Sequence, residues 1–175
     1  HASASVTVTP GEAARLTLSV PATVRAGEAF PFEARVEDAH GNAVAVPTTR
    51  QLQVTSTLPG AEASIDMDAM VATLKRAGQQ TLTVALTGGA TPASADATLF
   101  VAPADPADVL VALTGTDEVP STPDVLDVTA SNNATIGVTA TVRDAFGNTV
   151  DAAVALSTEG PALFDGTTLR RLTGA

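Results

Sequence analysis

Phe30-Pro31-Phe32-Glu33-Ala34-Arg35-Val36-Glu37-Asp38-Ala39-His40-Gly41-Asn42 decides the fold of this 175-residue chain. Phe30, Phe32, Ala34 and Val36 alternate with Pro31, Glu33, Arg35 and Glu37. A period of two, apolar then polar, is the signature of a half-buried β-strand. The strand runs into Asp-x-x-Gly-Asn, which suits a tight connection to a following strand. Gly41 tolerates positive φ, as does Asn42, and Asp38 can accept backbone N–H groups across the turn. Val44 then continues the chain as strand.

The same arrangement returns 106 residues later. Ile136, Val138, Ala140 and Val142 alternate with Gly137, Thr139, Thr141 and Arg143, then lead into Asp144-Ala145-Phe146-Gly147-Asn148 and Val150. Asp144, Gly147 and Asn148 take the places of Asp38, Gly41 and Asn42. A strand and its turn that recur together at this spacing imply repeated β-domains. These six residues have a structural job at the turns. Calcium ligation by the side-chain oxygens of the Asp and Asn residues is the functional alternative.

A second repeat sets the expected boundaries. Val6-Thr7-Val8-Thr9-Pro10 resembles Leu99-Phe100-Val101-Ala102-Pro103, 93 residues on. Each is followed by a short acidic linker and a new strand, Arg15-Leu16-Thr17-Leu18 and Asp108-Val109-Leu110-Val111. Residues 1–10 therefore read as the last strand of a preceding domain or as a donor strand. Residues 11–103 read as a complete domain. Residues 104–175 read as a second domain lacking its last two strands, because Thr173-Gly174-Ala175 falls where Ala77-Gly78 stands in the first. The longer second spacing places an insertion at residues 115–133, with Asp117, Glu118, Asp124 and Asp127. The chain is then either a window from a longer array or a strand-exchanging subunit whose residues 1–10 complete another copy. Other expected strands are residues 16–20, 51–57, 71–75, 81–86, 97–102, 109–113 and 153–157. Residues 66–75 read as a strand or hairpin rather than a helix.

Composition agrees with thin β-sandwiches. Apolar residues make up 45% of the chain but aromatics only 3%, with five Phe and no Trp or Tyr. Val, Leu, Ile and Ala must fill the core. The net charge of −10 disfavours nucleic-acid backbones and anionic membrane surfaces. No cysteine is present, which excludes disulfides and thiol chemistry. No apolar run reaches the length of a membrane-spanning helix, so membrane insertion is not expected. The chain opens His1-Ala2-Ser3-Ala4-Ser5 without a basic start and apolar stretch, so an export signal, if used, is removed or lies upstream.

The pattern Ala34-Arg35-Val36-Glu37-Asp38-Ala39-His40-Gly41-Asn42-Ala43-Val44, with its counterpart at residues 140–150, resembles the bacterial immunoglobulin-like repeats of invasin- and intimin-type surface proteins. The resemblance implies an all-β chain of tandem immunoglobulin-like β-sandwich domains in an exported protein. It also implies a spacer, stalk or fibre-forming role, with partners among neighbouring domains of the same protein or copies of itself by strand exchange. Such modules also accompany secreted enzymes, so a ligand- or carbohydrate-binding accessory module of a secreted enzyme is one alternative, and a binding module acting through residues 115–133 is another.

Catalysis is not expected. His40 occupies the place that Phe146 fills in the second copy, which fits a packing or turn residue better than a base. There is no Gly-x-Ser-x-Gly elbow and no phosphate loop. His1 could chelate copper only with a second imidazole, and a cleavage scar explains it better. Asp66 and Asp68, read as alternating along one strand face, and Asp117-Glu118 could serve glycoside cleavage. The lack of Trp and Tyr platforms weakens that reading. No cofactor is expected beyond calcium at Asp66, Asp68 or the insertion carboxylates, and solvated surface charge accounts for the same residues.

Overall fold

The structure is a computed structural model that describes residues 7, 9–46, 50–88, 93–114, 135–157, 162–165 and 168–171. It divides into two compact units, His1–Ala104 and Asp105–Ala175. Residues 1–10, read as a preceding domain's last strand or as a donor strand, lie outside the described residues apart from Thr7, Thr9 and Pro10, as do the insertion at 115–133 and residues 172–175.

The first unit is an immunoglobulin-like β-sandwich. Its first layer contains β1 (Arg15–Ser19), β3 (Ala29–Pro31), β4 (Glu33–Glu37), β6 (Ala63–Asp66) and β7 (Val71–Leu74). β1 pairs antiparallel with β4, and β3 pairs with β7, which pairs with β6. β3 and β4 are one alternating run, divided only at Phe32, whose N–H donates to the Met70 carbonyl at 3.0 Å. The second layer has the order β2 (Thr23–Arg25), β9 (Ala93–Ala102), β8 (Gly78–Thr87) and β5 (Gln51–Ser56). Among the described strands only the β2–β9 pair is parallel. Pro21, which carries no N–H, separates β1 from β2, and the chain changes layers there.

Alternation places the core. Phe30, Phe32, Val36, Ala72 and Leu74 come from the first layer, and Val54, Leu82, Val84, Leu86, Leu99 and Val101 from the second. Leu74, Leu82, Val84 and Val101 are completely shielded from water. Each such side chain contributes roughly 1.5–3 kcal/mol of burial, so aliphatic residues suffice despite the missing Trp and Tyr.

The second unit contains one described sheet, with order β10 (Pro106–Thr114), β11 (Thr135–Asp144), β13 (Thr168–Arg171) and β12 (Ala162–Phe164), all antiparallel. This sheet repeats the first layer of the first unit. Leu16 faces Val36 and Leu18 faces Ala34 in one, while Val109 faces Val142 and Val111 faces Ala140 in the other. The repeat spacings of 93 and 106 are thus the separations between register-equivalent residues on the two strands. The β12–β13 hairpin stands where β6–β7 stands in the first unit. Arg15 opposite Glu37 becomes Asp108 opposite Arg143, a cross-strand pair of opposite charges with the signs exchanged.

Three sequence expectations need correction. Residues 153–157 form no strand. Val154 and Leu156 are half-buried between exposed neighbours, so the alternation is real, but no described strand pairs with them, and a strand is defined by its ladder. Asp66 and Asp68 do not share a strand face: Asp66 ends β6, while Asp68 lies in the turn before β7. There the Asp66 Oδ1 accepts the N–H groups of Asp68 and Ala69, both at 2.9 Å. The short strands β2 and β6 were also not anticipated, since three or four residues carry too little period to read.

Candidate functional site

The most organised polar groups are the two Asp-x-x-Gly-Asn turns, one in each unit. In the first, β4 delivers Asp38 to the end of the strand, where it is 3% exposed. Its Oδ1 accepts the N–H of His40 at 2.8 Å and of Asn42 at 2.9 Å. Its Oδ2 accepts the Asn42 side-chain amide at 2.9 Å and the Gly11 N–H at 2.9 Å. The backbone closes the turn through Asp38 N–H to the Asn42 carbonyl at 2.9 Å and Gly41 N–H to the Asp38 carbonyl at 3.1 Å. Gly41 sits at φ 84°, the left-handed region that a side chain makes costly.

The second turn repeats this geometry. Asp144, also 3% exposed, accepts Phe146 N–H and Asn148 N–H at 2.9 Å on Oδ1, and the Asn148 amide at 2.8 Å on Oδ2. Gly147 is at φ 83°. Asp144 N–H meets the Asn148 carbonyl at 2.9 Å, and Val150 N–H returns to the Val142 carbonyl at 2.9 Å. The residue just before Gly, exposed His40 or Phe146, enters these bonds through its main chain, which explains why two chemically unlike side chains share the position.

Electrostatics follow from the donors. The Asn42 side-chain amide, with the N–H groups of Gly11 and Asn42, holds the Asp38 carboxyl well below the usual carboxylate range. Asp38 is therefore ionised at neutral pH, and its oxygens are occupied by donors rather than facing a vacant space. This geometry serves a turn that also secures the incoming chain: Gly11, 27 residues upstream, is tied to the end of β4 by that carboxylate. The sequence reading missed Gly11. Pro10 marked an expected domain end but gave no sign of the bonding partner of Gly11.

A cleft of about 560 Å³ opens beside Gly11 in the first unit. Leu16, Val36, Val44, Leu86 and Ala93 contribute apolar lining, with Glu12, Arg15 and Arg50 also present. Arg15 is already paired with Glu37 across β1 and β4. The described residues that line the cleft bring together no nucleophile and base. Among the described residues no group of three His, Asp or Glu side chains lies close enough to hold a metal. The carboxylates Asp117, Glu118, Asp124 and Asp127, and the terminal His1, lie outside the described residues.

No family model and no curated protein matches the chain. Two solved structures of surface layer protein SbsC are similar to it. That of its domains 4–9 has a TM-score of 0.39 at 18% identity, and the match covers 92% of this chain and 26% of that one. That of its domains 1–6 has a TM-score of 0.34 at 17% identity, covering 85% of this chain and 21% of that one. The chain thus spans about a quarter or less of the structures it matches.

Proposed function

We propose that this chain is a structural repeat segment of an exported bacterial surface protein, acting as spacer, stalk or fibre-forming unit. The observation that carries the reading is the recurrence of one module. The same strand pair in the same register ends in the same buried-aspartate turn in both units. The element that repeats among the described residues is a strand pair and its turn, as in arrays whose repeats serve length and rigidity, which supports this reading. The cysteine-free, acidic composition supports a segment that stays soluble outside the cell without disulfides. The resemblance of both turns to invasin-type repeats supports the bacterial surface.

Surface exposure is directly measurable. Intact source cells are treated briefly with trypsin, and the released peptides are identified by mass spectrometry. Peptides ending at Arg25, Arg50 or Arg76 should appear in the released fraction before any cytoplasmic marker. Their recovery only after lysis would reject the surface assignment.

A further inference from the structure

In the first unit, the earliest strand of the second layer, β2, lies parallel to the last, β9. Thr23 faces Phe100, Val24 faces Val101 and Arg25 faces Ala102. Bonds flank these pairs: Phe100 N–H donates to the Ala22 carbonyl at 2.9 Å, and Ala26 N–H to the Ala102 carbonyl at 2.8 Å. Val24 and Val101 pack into the core, which closes one side of the pair to water. The chain enters this unit at Gly11, which Asp38 fastens to the end of β4. Just beyond, Leu16 shares a cleft with Ala93, the first residue of β9. The chain leaves past Ala102, beside Arg25. Entry and exit therefore lie at opposite ends of the ten-residue strand β9, roughly 30 Å apart.

We propose that the first unit is a tension-bearing module whose mechanical lock is the parallel β2–β9 pair. Tension along the chain pulls β2 from its beginning and β9 from its end. In a parallel pair those points lie at opposite ends, so the strands must slide and their bonds stretch together. An antiparallel pairing of first and last strands would bring both points to one end, and tension would peel the bonds singly. β1 slides along β4 under the same pull, but among the described strands only β2–β9 bonds the entering segment to the leaving strand. The lock is a property of the unit, while its use in a cell rests on the stalk reading above. Trypsin release from cells tests the stalk and force on the purified chain tests the lock, so the two fail separately.

The test is single-molecule pulling of the full 175-residue chain in optical tweezers. The chain has no cysteine, so two introduced thiols give defined handles. Thr9→Cys with Asp105→Cys, both at exposed positions, pulls entry against exit. Thr9→Cys with Thr87→Cys pulls two points at the entry end, because Thr87 follows Leu86, which pairs with Ala93. At equal force the first geometry should unfold roughly tenfold more slowly or better. Two prolines then locate the resistance. The bonds at Ala22 and Ala26 put the Val24 N–H on the side facing β9 and the Thr23 N–H on the side facing away. Val24→Pro should speed entry–exit unfolding roughly fivefold or more beyond Val24→Ala, which trims the side chain but keeps the N–H. Thr23→Pro should stay within about twofold of the parent. Should Val24→Pro fail to fold, the two pulling geometries decide by themselves. Equal rates in both geometries would overturn the proposal, and so would equal effects of the two prolines. Slow entry–exit unfolding that survives Val24→Pro would also overturn it, in favour of β1–β4 as the seat of resistance.

Discussion

Leu16→Ala and Val109→Ala probe one position in two equivalent sheets, and the structure assigns them unequal costs. Leu16 is 5% exposed. Removing its isopropyl end deletes three carbons at about 0.8 kcal/mol each, or roughly 2.4 kcal/mol before any cavity term. Leu-to-Ala changes in cores cost about 2–5 kcal/mol. Leu16 borders the cleft beside Gly11, where water can enter the vacated space, so the lower part of that range, about 2.5–3 kcal/mol, is expected. Val109 loses two carbons, and it is 44% exposed. Roughly half the transfer term applies with no sealed cavity, so about 1 kcal/mol is expected. The chain has no Trp or Tyr, so intrinsic fluorescence is unsuitable. Urea unfolding should be followed by far-UV circular dichroism, with methyl resonances of Leu74 and Ile136 reporting the two units separately. With urea slopes of about 1–3 kcal/mol/M, Leu16→Ala should lower the first unit's midpoint by about 1 M or more. Val109→Ala should lower the second's by less than half that free energy. Equal costs at the two positions would refute the claim that they differ in cover.

The Asp38 carboxyl is held below its unfolded value, so its ionised form stabilises the fold above the ordinary carboxylate range. That stability is lost as pH falls from about 4 toward the lower folded value. Asp38→Asn should therefore melt below the parent at pH 7, with the gap narrowing by pH 2.5 in calorimetry; a constant gap would contradict the assignment. Gly147→Ala meets no atom within 4 Å but keeps φ 83°, so backbone strain alone should cost about 1–2 kcal/mol. Gly60→Ala, equally unobstructed and without positive φ, should be neutral within about 0.5 kcal/mol in the same denaturation assay. Because Asp38, Asp144 and Asp66 already accept N–H groups, chelator or added calcium should leave the melting curve unchanged; a saturable rise with calcium would reopen a metal role.

Particular residues show where sequence reading ran out. The residue types at Asp38, Gly41 and Asn42 were legible because turn chemistry is local and its donors lie within four residues. The Gly11 N–H was not, since it arrives from 27 residues away through folding alone. Residues 66–75 gave a hairpin signal, whereas the exact turn, with Met70 at φ 55°, depended on pairing between β6 and β7. The alternation at 153–157 was read correctly as burial and incorrectly as a strand, because period two reports which side faces inward and says nothing of a ladder partner.

By itself the sequence determined the all-β class, the inward faces of β3–β4 and β11, and the recurrence at 93 and 106. Each of these is a property of neighbouring side chains or of self-similarity along the chain. Only the tertiary structure decided that β1 and β2 belong to different layers. It alone also decided that Leu16 is covered while Val109 is open. An alternating strand specifies an apolar face, but whether that face is shielded depends on a second sheet whose strands come from far along the chain.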